Sequence, residues 1–260
     1  MGILFEIEYI DNSLYEGKFF MDTLRFGLDG HSLKHFQFGV SNTSDPGILG
    51  LGSKSLESAT TEYDNLPWTL QKAGITSKAC YSLYLNPDRE SGSIVFGGID
   101  TAKFSGRLKE YPIYGGASDL AIYLSSLIIG DKVIPVESPY AFDSGSSIGF
   151  VGKELMYALD MIFKATIKEE EGIGYRFVDC KQPDDIYLVF SFDDNNISIP
   201  YADLILPKDG FCILGLAYFN DYQILGHVFM RHTYMYFDLT ENTISLAQAL
   251  FSKKSNIITF

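Results

Sequence analysis

Cysteine is scarce in this chain, with three among 260 residues, and that excludes a cysteine-rich or zinc-finger scaffold. Basic residues are outnumbered, 20 Lys and Arg against 33 Asp and Glu, for a net charge of −13. Nucleic acid is therefore disfavoured as a partner, because phosphate binding depends on clustered Lys and Arg. No run approaches the ~20 apolar residues of a membrane-spanning helix, so no membrane span is expected. Residues 1–12 lack a basic stretch, and Glu6 and Glu8 break their apolar run, so they do not read as a signal peptide. Fixed-period repeats are absent. Strand-like and helix-like segments do not alternate regularly, which argues against a doubly wound α/β sheet.

What is present is a chain able to bury a full core, 46% hydrophobic and 20% charged, and long enough for two lobes or one large β domain. Phe5, Ile7 and Tyr9 alternate with Glu6 and Glu8, the period of a half-buried strand. Short apolar runs bounded by Gly, Asn, Asp and Pro recur at 82–85, 92–96, 123–129, 187–192 and 234–239. Residues 153–166 carry Leu155, Leu159, Ile162, Phe163 and Thr166 on one helical face. A shorter helix is expected over 67–73, opening at Pro67. The expected class is all-β with a few short helices. Two apolar-apolar-Gly triplets, Ile48-Leu49-Gly50 and Ile224-Leu225-Gly226, flank a single Asp143-Ser144-Gly145-Ser146.

Together these segments resemble the pepsin-like aspartic proteases, and most closely the secreted yeast and Candida type, the candidapepsins. Residues 5–17 look like the flap hairpin, with Tyr9 at the flap tyrosine. Residues 45–52 look like the crossing strand of a first lobe. The segments 63–75, Tyr81-Ser82-Leu83-Tyr84-Leu85-Asn86 and 92–106 run through the end of that lobe. Residues 142–147 look like the second catalytic loop, and 224–248 match the family's C-terminal segment.

The resemblance implies a bilobal all-β fold, with a partial N-terminal lobe over 1–113 and a C-terminal lobe over 114–260. It also implies an endopeptidase that holds a water between two carboxylates sharing one proton, since two like charges so close cannot both ionise. Asp143 would be one of the pair. Ser144 would hold the loop through its hydroxyl, Gly145 would face the substrate, and Ser146 would hydrogen-bond the outer carboxylate oxygen. Ser147 and, from the flap, Tyr9, Asp11 and Ser13 complete the implied substrate-binding set; Tyr9 has the alternative of packing on Phe19 as an ordinary strand tyrosine. Cys180 and Cys212 match the family's second-lobe disulfide and leave Cys80 as a buried free thiol. The implied partner is an extended polypeptide bound by a monomer, with no metal or cofactor. The implied location is outside the cell or on its surface, and sequons at Asn42 and Asn196 agree with it.

The chain departs from that pattern in two places. The family carries two Asp-Thr/Ser-Gly loops, the first ahead of the flap, and this chain opens at the flap. Asp22-Thr23-Leu24 lacks the Gly, and Asp45-Pro46-Gly47 belongs to the segment before the crossing strand. The expectation is an N-terminally truncated fragment, inactive by itself; the alternative is a non-catalytic relative that binds peptides or a partner protein. At the flap tip, Ile10 and Asn12 stand where the family prefers Gly, and β-branched Ile adopts a left-handed backbone poorly. One motif suggests a different chemistry. Gly145-Ser146-Ser147-Ile148-Gly149 fits the G-x-S-x-G of a serine hydrolase, with Ser147 as nucleophile, Asp203 or Asp221, and His227 or His232. That elbow needs a parallel βα sheet, which the pattern does not show. His31 and His35 read as surface residues and not as metal ligands.

Overall fold

The computed structural model describes residues 4–9, 13–26, 30–43, 47–57, 59, 62–87, 91–115, 120–170, 173–219 and 222–260. Strands dominate them, with three short α-helices: α1 (Leu66–Lys72), α2 (Lys153–Phe163) and α3 (His227–Met230). The architecture is all-β with a few short helices, as expected. The turn-bounded runs fall on strands Cys80–Leu85, Gly92–Phe96, Ala121–Ile129, Tyr187–Phe192 and Thr233–Asp238. Helix α2 buries Leu155, Met156, Leu159 and Phe163, but stops earlier than its periodicity suggests. Lys164 turns left-handed at φ 49° and donates its N–H to the Asp160 carbonyl. Thr166 then opens a strand, Thr166–Glu170, instead of closing the helix.

Leu4–Glu8, Leu14–Phe26 and His31–Ser41 form an antiparallel sheet in that order. Gly17 sits early in the longest of these strands, where a Cβ would collide with the Val40 carbonyl oxygen and the Phe5 ring. A second sheet is ordered Gly92–Phe96, Cys80–Leu85, Thr233–Asp238, Thr243–Ala249, Phe104–Pro112. Two of its three inner strands, Thr233–Asp238 and Thr243–Ala249, come from late in the chain, so it draws on both sides of residue 113. The largest sheet carries Ala121–Ile129, Lys132–Phe142, Ile224–Leu225 and Gly149–Val151 side by side.

One continuous core joins the second and third sheets. Tyr81 stacks on Phe237 at 4.8 Å, and Phe142, Phe190 and Phe192 gather around Phe229 at 5.9, 5.0 and 5.9 Å. The first sheet meets a separate cluster of Leu33, Leu66 and Leu70. No helix among the described residues is long and apolar enough to cross a membrane.

One expected strand did not form. Residues 47–50 pair with no strand among the described residues, and Ile48 and Leu49 stand 67% and 54% exposed. An apolar triplet becomes a crossing strand only when strands flank it on both sides, and among the described residues none do so here. Asp45 and Pro46 lie outside the described residues.

The chain's end is held by a carboxylate. Strand Ile257–Thr259 pairs with Gly98–Asp100, and buried Asp100 accepts hydrogen bonds from Asn256 N–H (2.7 Å), Ser255 Oγ (2.7 Å) and Ala102 N–H (3.0 Å). Burial opposes its charge, but these hydrogen bonds hold its pKa below the ordinary 3.8. A depressed pKa gives stability that is full above the unfolded value and is lost as pH falls through the folded one. Protection against hydrogen exchange at residues 257–259, relative to the free peptide at the same pH, is expected to fall below about pH 3.8 before the core opens, and Asp100→Asn should show the same loosening at neutral pH.

Candidate active site

Strand Lys132–Phe142 ends in buried Phe142, and the chain turns through Asp143-Ser144-Gly145 before strand Gly149–Val151. Between those two strands runs Ile224–Leu225, parallel to the first (Ile224 opposite Ala141, Leu225 opposite Phe142) and antiparallel to the second (Ile224 opposite Phe150). The Asp143 loop therefore bridges over a crossing strand, and Asp143 N–H donates to the Leu225 carbonyl at 3.3 Å. Its carboxylate is fixed at both oxygens. Oδ1 accepts Gly145 N–H at 2.7 Å and Oδ2 accepts the Ser146 hydroxyl at 2.6 Å. Charge-assisted bonds of this kind fix the carboxylate's orientation.

The loop's other support comes from α3. His227 N–H donates to the Ser146 carbonyl at 2.8 Å. His227 Nε2 lies 2.7 Å from the Ser144 carbonyl, which can only accept, so Nε2 carries the proton. Ser144 thus meets α3 through its carbonyl. The role of His227 was missed; its signal is its place directly after Ile224-Leu225-Gly226. Gly226 itself lets the two segments touch, because a Cβ there would overlap the Ser146 and Ile148 carbonyl oxygens. Just upstream, Tyr140 is buried, and burial pushes its hydroxyl up to about 12 against an opposing hydrogen bond with the Gly152 backbone.

At the first hairpin, Tyr9 N–H donates to the Ser13 carbonyl at 3.0 Å. The Tyr9 ring meets Tyr15 edge-on at 5.5 Å, while Phe19 packs on Phe5 and Tyr63. Ile10, Asp11 and Asn12 lie outside the described residues. A cavity of about 520 Å³ opens against this hairpin, lined among others by Phe5, Ile7, Tyr9, Phe19, Ile48 and Tyr63. Neither Asp143 nor Gly145, Ser146 or Ser147 borders it. The structure thus gathers Asp143, Gly145 and Ser146 at one place and Tyr9 with Ser13 at another.

The serine-hydrolase geometry is not present. The segment after exposed Ser147 is a strand, Gly149–Val151, where a nucleophile elbow needs a helix. His227 is engaged on Ser144, and His232 lies 3.3 Å from Asp203; Asp221 lies outside the described residues. His35 is exposed, at a positive φ of 58°. No cluster able to hold a metal occurs among the described residues. Cys180 and Cys212 are bonded, with Cα atoms 5.2 Å apart. Cys80 is free and buried, and burial pushes its thiol pKa up. Asn42 and Asn196 are both exposed.

Comparison with known proteins gives one answer. The family model of the eukaryotic aspartyl proteases matches residues 1–249. Candidapepsin of Candida tropicalis is 36% identical over 260 residues, covering 97% of this chain and 64% of its own length. Candidapepsin-3 of Candida albicans is 38% identical over 268 residues, with 97% and 65% covered. Secreted aspartic protease 8 of Candida albicans is 36% identical over 265 residues, with 100% and 63% covered. The chain therefore spans slightly under two thirds of the length of these curated relatives.

Proposed function

The chain belongs to the eukaryotic aspartyl protease family, and we propose that it supplies one half of a peptide-hydrolysing carboxylate pair, through Asp143. The observation that carries this reading is the carboxylate held by Gly145 N–H and Ser146 Oγ on a loop bridging a crossing strand. Such a loop presents a carboxylate of fixed orientation to a water. In a pair, one carboxylate takes a proton from that water while the other protonates the departing amine.

These 260 residues contain a single Asp-Ser-Gly and no Asp-Thr-Gly. By themselves they hydrolyse no peptide bond, because a lone carboxylate has no neighbour with which to share a proton. In this reading residues 1–113 contribute the flap side of a cleft and 114–260 the Asp143 side. The residues that bind an extended polypeptide in it are Tyr9, Asp11 and Ser13 from the first part and Gly145, Ser146 and Ser147 from the second, and the protein works as a monomer. The disulfide and the relatives named as secreted proteases support action outside the cell. The second reading, a binding relative without catalysis, is favoured by the apolar cavity at the hairpin that Asp143 does not border.

A chimaera separates the two. Residues 1–260 are joined to the part of the Candida tropicalis relative that the match leaves uncovered. Cleavage of a denatured protein is expected, falling about 10²- to 10⁴-fold on Asp143→Asn. A chimaera that melts cooperatively yet stays inactive, or is indifferent to Asp143→Asn, overturns the half-site reading.

A further inference from the structure

Strand Asn195–Pro200 ends the largest sheet and pairs with Tyr187–Phe192, which pairs in turn with Ala121–Ile129. Side chains alternate across a strand. Ile197 and Ile199 are buried in the core, so Asn196, Ser198 and Pro200 take the outer face. Asn195 turns inward with Ile197, and its amide Nδ2 donates to the Leu246 carbonyl at 3.1 Å. Its neighbour Asn196 is exposed.

The register lays ordered rows over that outer face. Asn196 lies opposite Ser191, and Ser191 opposite Ser126. The next row runs Ser198, Val189, Ile128 and Val133, and Pro200 with Tyr187 follows. A floor of small hydroxyl residues therefore extends from Asn196, with an apolar row beside it. Val133 and Tyr187 stand 62% and 45% exposed there. The strand's free edge is closed in part. Pro200 has no N–H, and Gln248 binds Ser198 from outside, its Oε1 accepting the N–H at 2.8 Å and its Nε2 donating to the carbonyl at 3.2 Å. By alternation, the next residue whose backbone faces outward is Asn196, and an open edge invites pairing with other chains.

Asn196-Ile197-Ser198 is an acceptor triplet for N-linked glycosylation. We infer that Asn196 carries an N-linked oligosaccharide that covers the open end of this edge and the face at Ser191, Val189 and Ile128. The inference rests on the reading that the protein passes through the secretory route. The co-reactant is a lipid-diphosphate-linked oligosaccharide. Asn196 Nδ2 forms a bond to its anomeric carbon and loses a proton, while the bond from that carbon to the phosphate oxygen breaks and the lipid diphosphate leaves. Because Ile197 is buried in the fold, transfer precedes the docking of this strand. The first sugar then rests on the serine floor and sets its apolar side against Val189. Strand Lys132–Phe142 carries Val133 near one end and leads to Asp143 at the other, so the glycan leaves the Asp143 loop uncovered.

Residues 1–260 with Asn42→Gln, behind a cleavable secretion leader, are translated in the presence of endoplasmic-reticulum microsomes. The microsomes supply the compartment, so the result tests the site independently of the secretory reading. A single upward gel shift is expected, removed by endoglycosidase H. Asn196→Gln and Ser198→Ala should abolish it, and Ser198→Thr, which keeps a hydroxyl, should retain it. No variant has to fold for this readout, because the transferase acts on the unfolded chain. The glycoprotein secreted from yeast reports on the cover. Trimming its glycan should raise binding of a hydrophobic dye about two-fold, while the amides of Ile197 and Ile199 keep their protection from hydrogen exchange. An unshifted chain, a shift that survives Asn196→Gln, or dye binding indifferent to trimming would overturn the inference. So would a rise in dye binding accompanied by lost protection, which would mean that the sheet had opened.

Discussion

Alanine at position 226 is expected to lower stability by about 3 kcal/mol, a fall in Tm of roughly 6–12 °C for a chain of this size. Most glycine-to-alanine changes are small because a methyl group finds room. Here the new Cβ would meet two backbone carbonyl oxygens, those of Ser146 and Ile148. Neither belongs to a flexible side chain that could swing aside. Relief requires α3 and the Asp143 loop to separate, and that breaks His227 N–H to Ser146 and Nε2–H to Ser144. Gly152→Ala is the control: nothing lies within 4 Å of its Cβ position, and its effect should stay below about 1 kcal/mol. Urea midpoints of the two variants make the comparison. Faster exchange of the His227 amide would locate the damage at the loop.

Arg176→Met is expected to cost about 3 kcal/mol, at the lower end for a broken buried ion pair. The Arg176 side chain is 7% exposed, with Nε 2.9 Å from Asp160 Oδ1 and Nη2 3.2 Å from Oδ2. Removing it strands the Asp160 carboxylate on α2, partly out of water, with no cation to balance it. The size of the effect comes from that stranded charge more than from the pair's net worth. Asp160→Leu combined with Arg176→Met should therefore recover most of the loss. Denaturant titration of the two single variants and the double one gives the coupling. A double variant as unstable as the sum of the singles would contradict this explanation.

Local signals read well in this chain, and non-local ones did not. Gly92–Phe96 and Tyr187–Phe192 are bounded by turn residues on both sides, and their limits coincide with the expected runs. Helix α2 was legible from its apolar face up to Phe163. Its end was not, because Lys164 takes a left-handed conformation that its residue type does not announce. Nothing local tells that Thr233–Asp238 inserts between Cys80–Leu85 and Thr243–Ala249. That placement is decided by Phe237 stacking on Tyr81, 156 positions away in the numbering.

The two apolar-apolar-Gly triplets show the same limit. They look alike in sequence, yet Ile224–Leu225 is a strand between strands and residues 47–50 are not. The neighbours decide the outcome, and a triplet does not carry its neighbours with it. At the candidate site, Asp143, Gly145 and Ser146 were singled out through the family resemblance, and the structure joins them by hydrogen bonds to both carboxylate oxygens. His227 was not, since it acts across 83 residues through a carbonyl that every residue possesses.

The most direct test of a solitary Asp143 is an end-point assay on residues 1–260 expressed as one polypeptide. It is incubated with a denatured protein at about pH 4, where one of two neighbouring carboxylates would hold a proton, and new amino termini are counted. The wild-type polypeptide and its Asp143→Asn variant should release equal, background amounts. Cleavage by the wild type that disappears in Asp143→Asn would contradict the half-site account, because a second acid would then have to stand opposite residue 143.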